Sequence, residues 1–147
     1  MDKAVKLRLM TIDDYDEVIA LWTSIPGIGM RSLDDSREGI AKFLDRNPTT
    51  CFIAESENKT AGVILSGHDG RRAYIYHAAV RVSEQGKGIG SALIKAVESA
   101  MKAEKINRIN LVAFADNEMG NTFWEKHGYV TRPDLLYRSK SINEENV

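Results

Sequence analysis

The chain has 147 residues, 43% of them hydrophobic and 28% charged, with a formal net charge of −1 at neutral pH. This is the profile of one soluble globular domain spanning 1–147, and interspersed charge near neutrality argues against a nucleic-acid backbone as the main partner. The single cysteine, Cys51, excludes an internal disulfide or a cysteine-rich zinc site and fits a reducing compartment.

The first residues lead into no signal-type apolar run. The stretch Leu111-Val112-Ala113-Phe114-Ala115 is far too short to cross a bilayer. A cytoplasmic protein with no membrane partner and no metal is expected.

Val5 to Leu9 alternates apolar and basic residues, which predicts a half-buried strand with Val5, Leu7 and Leu9 on one face. Thr11 and Asp14 then form a capping-box-like helix start. Tyr15, Val18, Ile19 and Trp22 follow at spacings that share one helical face, and Pro26, Gly27 and Gly29 end that helix in a loop. A second helix is predicted from near Ser32, carrying Ile40, Phe43 and Leu44 inward and stopping before Pro48.

Thr50 to Glu55 and Lys59 to Gly67 read as two strands joined by a short polar turn. His68-Asp69-Gly70-Arg71 reads as a hairpin turn in which Asp69 and Gly70 supply positive φ angles. Arg72 to Val82 is the next strand, with Tyr74 and Tyr76 on one face and His77 on the other. A glycine-containing loop leads into an amphipathic helix that turns Leu93, Ile94, Val97 and Met101 inward.

Asn107 to Phe114 is a buried strand. Asn117 caps a short helix through Phe123 and Trp124, and Gly128 stands where a helix C-terminus needs a left-handed residue. Short strands around Tyr129 and Leu136 complete the chain. The order predicts an α/β (α+β) fold with a mixed, mostly antiparallel sheet of about seven strands flanked by about four helices. Its one parallel pair joins the strand before the long helix to the strand after it, through a right-handed crossover.

Gly86, Gly88 and Gly90 lie between a strand and a helix start. There, backbone N–H groups and the helix dipole favour an anion such as a phosphate. No window supplies the Gly-x-x-x-x-Gly-Lys-Ser/Thr of a nucleotide-binding P-loop. The dinucleotide fingerprint fails because its third glycine position is Ser91 and the loop does not follow a first strand. The glycines alone leave a ligand-binding loop and a plain strand-to-helix turn equally open.

The segment Val80-Arg81-Val82-Ser83-Glu84-Gln85-Gly86-Lys87-Gly88-Ile89-Gly90-Ser91-Ala92-Leu93 resembles the signature motif of the GNAT superfamily of acetyl-CoA-dependent N-acetyltransferases. The motif, Gln/Arg-x-x-Gly-x-Gly/Ala after a strand, falls on Gln85, Gly88 and Gly90. A second family segment is matched through Asn117, Phe123, Glu125, Lys126, Gly128 and Tyr129. The element order is also the family's, so the resemblance extends over essentially the whole chain.

The resemblance implies an acyltransferase with acetyl-CoA as co-substrate and a primary amine of a small molecule or peptide as acceptor. It places the pantetheine arm in a gap between splayed parallel strands, paired with backbone groups of Ala79, Val80 and Val82. The pyrophosphate would rest on Gln85, Gly86, Lys87, Gly88, Ile89, Gly90 and Ser91, with Asn117 reaching the same arm. The amine attacks the thioester directly after losing a proton, while N–H groups near Ala79 polarise the carbonyl.

The family's thiolate-protonating tyrosine, which follows the phenylalanine of the second segment, is replaced by Trp124. Tyr76, Tyr137 and Tyr129 are the alternative hydroxyls, and His77 is the candidate base, its free pKa lying near neutrality. A buried strand histidine bonded to backbone is the competing structural reading of His77. His68 and His127, in a turn and before a capping glycine, read as structural. Cys51, beside Phe52 and Ile53, reads as core. The loop Trp22 to Arg31 would roof the acceptor pocket, with Pro26, Ile28 and Met30 as apolar lining and Arg31, Asp34, Asp35 and Arg37 able to select charge. Two further readings stay open, a silent acyl-CoA-binding module and an enzyme acting on protein N-termini or lysines. Two-chain assemblies, common in the superfamily, make a homodimer possible.

Overall fold

The computed structural model describes residues 4–147. Five strands lie side by side in chain order: β1 (Val5–Leu9), β2 (Phe52–Ser56), β3 (Lys59–His68), β4 (Ala73–Val80) and β5 (Ile109–Leu111). The first four pair antiparallel, and β5 runs parallel to β4. The helices are α1 (Tyr15–Ser24), α2 (Arg37–Arg46), α3 (Ile89–Ala103) and α4 (Glu118–Lys126).

Alternation along the strands divides the core between two faces of the sheet. Val63 and Leu65 pack with Leu21, Trp22 and Ile40 from α1 and α2. Their neighbour Ile64 packs on the other face with Leu93, Ile94, Val97 and Met101 of α3. Cys51 is a core residue as expected, 1% exposed. Its thiol donates to the Ser66 carbonyl at 3.1 Å, and burial above all pushes its pKa up to about 12.

Short polar residues set the element ends. The Thr11 N–H donates to the Asp14 carboxylate at 2.9 Å, and Arg8 grips that carboxylate through two bonds of 2.9 and 2.7 Å. Burial by itself would raise the pKa of Asp14, but these bonds and the Arg8 charge together hold it below the ordinary value. Helix α2 begins at Arg37, later than the expected Ser32. The cap is Ser36, whose hydroxyl accepts the Gly39 N–H at 3.0 Å. Between β2 and β3, Glu57 and Asn58 both adopt positive φ, 53° and 64°, which matches the right-handed twist of a two-residue hairpin.

In the β3–β4 turn only Gly70 takes a positive φ, 90°. Asp69 acts through its side chain instead, its carboxylate accepting the N–H groups of Arg71 and Arg72 at 2.8 Å each. Strand β1 is an edge strand, so Val5, Leu7 and Leu9 are 37–42% exposed, more than their alternation suggested.

The two closing strands expected around Tyr129 and Leu136 are absent among the described residues. The Tyr129 N–H donates to the Trp124 carbonyl at 2.9 Å and its hydroxyl donates to Glu98 at 2.9 Å, which folds that residue back onto α4 and α3. Pro133 lacks a ladder donor. β5 offers an edge of only three residues, against the expected Asn107 to Phe114. Among the described residues the sheet therefore has five strands rather than about seven.

Candidate active site

Strands β4 and β5 part early. Their pairing is confined to Ala73, Tyr74 and Ile75 opposite Ile109, Asn110 and Leu111. From Tyr76 to Val80, β4 runs on with β3 on one side and, among the described residues, no strand on the other. An open edge of this kind presents alternate N–H and C=O groups that need partners.

At the point of divergence β4 carries an extra residue. Leu65 pairs with His77 and Ser66 with Ile75, so Tyr76 bulges out of the ladder. A bulge shifts the alternation by one, and this corrects the expected faces. Tyr76 packs edge-on to Phe43 of α2 at 5.4 Å, and His77 packs edge-on to Trp22 of α1 at 4.8 Å. Adjacent residues thus project to the same side, with the Tyr74 ring tilted against Tyr76 at 4.7 Å. Ala78 and Val80 pack toward α3, while Ala79 joins the α1 side.

The edge of β4 leads through a short 3-10 turn, Val82–Glu84, into the glycine loop and α3. Gly86 and Gly88 both adopt positive φ, 80° and 82°, and a Cβ on either would meet nothing within 4 Å. The loop is therefore shaped by conformational need, with open space in front of it. The first bond into α3 is from the Ala92 N–H to the Gly88 carbonyl, 3.0 Å. The N–H groups of Ile89, Gly90 and Ser91 precede it and carry the partial positive charge of the helix end. No acidic residue sits in this first turn.

The side chains of the motif do structural work around that cradle. Gln85 donates to the Val80 carbonyl at 3.1 Å, tying the loop to the end of β4. Lys87 pairs with Glu84 at 3.0 Å, so its charge is not free. Ile89 is buried, leaving only its backbone for a ligand. A Cβ on Gly90 would lie 2.9 Å from the Phe123 ring, so that glycine serves close packing of α3 on α4. The Ser91 hydroxyl lies 3.1 Å from His127 Nε2, a partnership with no signal in the sequence. Val82 is 68% exposed on the turn. Asn117 caps α4 by accepting the Gly120 N–H at 3.1 Å. Its amide also lies against Gly27, and Phe114 lies against Gly29, so the α1–α2 loop meets the β5–α4 loop.

His77 Nε2 lies 2.9 Å from Asp35 Oδ1, and both side chains are largely buried. The other Asp35 oxygen accepts the Arg31 N–H at 2.7 Å, and the Asp35 carbonyl accepts the Tyr15 hydroxyl at 2.7 Å. His77 therefore ties β4 to the α1–α2 loop through a carboxylate rather than a backbone group. A spacing of 42 residues hides such a pair in the sequence. Tyr76 is 52% exposed. Its hydroxyl is held above the ordinary pKa by partial burial and by Asp34, Tyr137 and Asp69. Tyr137 is 72% exposed. Tyr129, committed to Glu98, is raised by burial and by that bond. Trp124 packs against Phe123 and Tyr129 at 5.3 and 5.4 Å.

Two clefts flank this side of the sheet. One, of about 370 Å³, runs from Tyr76 and Tyr74 past Asn110 to Arg46 and Arg72. The other, of about 560 Å³, lies between α1 and the α1–α2 loop, with Met30, Arg31 and Asp35 among its walls. Ile28 and Met30 pack against the α1 core, whereas Pro26 is exposed.

Residues 16–129 match the model of the acetyltransferase (GNAT) family. The chain belongs to the GNAT family of acetyltransferases. An acetyltransferase of Sodalis glossinidius is 30% identical over 96% of this chain and 98% of its own. One of Pectobacterium atrosepticum is 29% identical over the same shares. Among solved structures, Ard1 of Thermoplasma volcanium is similar at a TM-score of 0.76 and 22% identity, over 86% of this chain and 83% of that one. An aminoglycoside acetyltransferase from a soil metagenomic sample, in complex with trehalose, gives 0.71 at 20% identity over 95% and 97%. PaiA N-acetyltransferase of Thermoplasma acidophilum, in complex with coenzyme A, gives 0.71 at 18% identity over 85% and 89%. At these identities the structural matches show the GNAT fold. This GNAT chain is an acyltransferase, and among its described residues no helix is long and apolar enough to cross a membrane.

Proposed function

We propose that the protein transfers an acetyl group from acetyl-CoA to a primary amine by direct attack on the thioester. The observation that carries this reading is the continuity of the open β4 edge with the glycine cradle at Gly86 and Gly88. An extended pantetheine amide arm can pair with such an edge, and a diphosphate is suited to the N–H groups at the start of α3. Ala79, Val80 and Val82 would serve the arm, and Gln85 to Ser91 the diphosphate, through backbone groups in both cases. Asn117, which lies against Gly27 of the α1–α2 loop, would reach the same arm from the start of α4.

The thioester would then lie at the bulge, near Tyr76. Attack by a neutral amine forms the C–N bond and places charge on the carbonyl oxygen, which backbone N–H groups near Ala79 stabilise. The C–S bond breaks next, and a thiolate with a parent pKa of about 8.5 leaves without an obligatory acid. This makes the replacement of the family tyrosine by Trp124 tolerable. The Tyr76 hydroxyl, held above its ordinary pKa by partial burial above all, can donate a hydrogen bond to the leaving sulfur, and Tyr137 is the second hydroxyl proposed for that role. Asp35 accepts from His77 Nε2, which leaves Nδ1 as the basic nitrogen for the proton lost by the amine.

Calorimetric titration with acetyl-CoA, followed by release of free thiol on addition of amines, tests the reading. Binding with turnover is the expected result, and a folded protein that does not bind acetyl-CoA refutes it. Binding without turnover of any amine would favour the silent acyl-CoA-binding module, the reading that the packed Trp124 supports. His77→Gln with an unchanged pH profile would remove His77 from the role of base.

A further inference from the structure

The cleft that begins at Tyr76 ends in positive charge. Arg46 at the C-terminus of α2 and Arg72 at the start of β4 both line it and are exposed. Arg46 has no hydrogen-bond or ion-pair partner among the described residues. Among the described residues, the one side-chain bond of Arg72 is a 3.3 Å contact to the neighbouring Arg71 carbonyl. Guanidinium groups left without a carboxylate and facing one cavity are the arrangement that takes up an oxyanion by paired hydrogen bonds.

The rest of that end is also donor-rich. The Nδ1 atom of His68 accepts the Gly70 N–H at 2.9 Å, so the neutral ring carries its proton on Nε2. Asn110 adds a side-chain amide to the wall. The acid among the described lining residues is Asp69, and its Oδ1 is already engaged by the N–H groups of Arg71 and Arg72. Two cations against one occupied carboxylate leave a net positive floor.

We infer that the acceptor is an amine bearing an anionic group, a carboxylate or a phosphate. Arg46 and Arg72 hold the anion while the amine lies at Tyr76. This rests on the acetyltransferase reading above and adds the class of acceptor to it. Arg72 and Tyr76 are four strand positions apart, about 13 Å along an extended strand. The long arginine side chain spans part of that distance, so the amine and the anion are separated by several bonds rather than carried on one carbon. A polycationic aminoglycoside is disfavoured by the same charges.

The test is direct binding, read by ligand-observed saturation-transfer NMR on the whole chain. The probes are 5-aminopentanoate with its carboxamide, and 3-aminopropyl phosphate with 3-aminopropanol. Arg46→Gln/Arg72→Gln is compared with wild type, both positions being exposed and tolerant of change. The expected result is that at least one anionic probe binds roughly ten- to a hundredfold more tightly than its neutral partner. That preference is lost in the double glutamine variant and partly kept in Arg46→Lys/Arg72→Lys. Which anion is preferred identifies the source. Equal binding of anionic and neutral probes, a preference that survives the glutamine variant, or no binding of any probe overturns the inference. An acetyl-CoA titration of the same samples keeps this outcome separate from failure of the cofactor site, which lies at the other end of β4.

Discussion

Replacing Gly88 by glutamate and, separately, by alanine isolates the anion site from the loop's own strain. Gly88 sits at φ 82° and ψ 10° as the N-cap of α3. Any residue with a Cβ is strained there, at a cost of about 1–2 kcal/mol. The loss is common to both variants and, in a domain of this size, corresponds to roughly 2–8 °C in melting temperature. Because a Cβ at this position meets nothing within 4 Å, alanine adds no collision. Glutamate adds a negative charge in the space assigned to the diphosphate. At a separation of about 5 Å and an effective dielectric of about 20–80, each pair of unit charges repels by about 1–3 kcal/mol. Against a doubly charged diphosphate the acetyl-CoA affinity should fall at least about tenfold below that of Gly88→Ala. The gap should narrow as salt is raised. Calorimetric titration of the three proteins at low and high salt measures this. Equal affinities for Gly88→Ala and Gly88→Glu would refute the placement of the anion at this loop.

Gly90→Ala should act on packing instead. Its Cβ would lie 2.9–3.0 Å from the Phe123 ring, and overpacking of this kind costs about 1–3 kcal/mol. A thermal melt should show the loss, and Phe123→Leu in the same chain should restore part of it. Asp14→Asn should lower stability by about 1–2 kcal/mol at neutral pH through loss of its charged bonds to Arg8 and the Thr11 N–H. Because the folded-state pKa of Asp14 is depressed, the stabilisation is fully present above its unfolded value of about 3.9 and is lost as pH falls through the folded value. Melting temperatures of the two proteins should differ at pH 7 and converge toward pH 3. Cys51, buried with its pKa pushed up to about 12, should resist Ellman's reagent at pH 8 until the chain is unfolded. Rapid native labelling would contradict its placement in the core.

The elements that depend on local chemistry were readable in the sequence. The stripe Leu93, Ile94, Val97 and Met101 is buried on α3 as its spacing requires. The Thr11–Asp14 start and the Asn117 cap are formed, and the glycine loop stands between strand and helix where the motif places it. What was not readable depends on partners distant in the chain. The β4 bulge has no residue-type signature, since Tyr76 is as good a strand residue as its neighbours. The Asp35–His77 and Ser91–His127 pairs bridge elements whose approach only the fold decides. The expected closing strands had the right composition around Leu136 but only a three-residue edge, β5, to pair with.

The bulge at Tyr76 links these observations into one site. Without it, strict alternation would send Tyr76 and His77 to opposite faces of the sheet. One would face the α1 and α2 side, and the other would point into the α3 core. The extra residue allows both to project toward the α1–α2 loop, while Ala78 and Val80 still fill the α3 side. It also falls where β4 leaves β5, so the open backbone edge and the two side chains begin at the same place. A thioester delivered along that edge from the Gly88 cradle would therefore meet, at a single point, the mouth of the cleft that ends at Arg46 and Arg72. Moving the bulge by one residue would leave the cradle intact and separate the acyl group from the acceptor. On the proposed reading, the position of the bulge is what would join the two binding surfaces on this strand into a site for transfer.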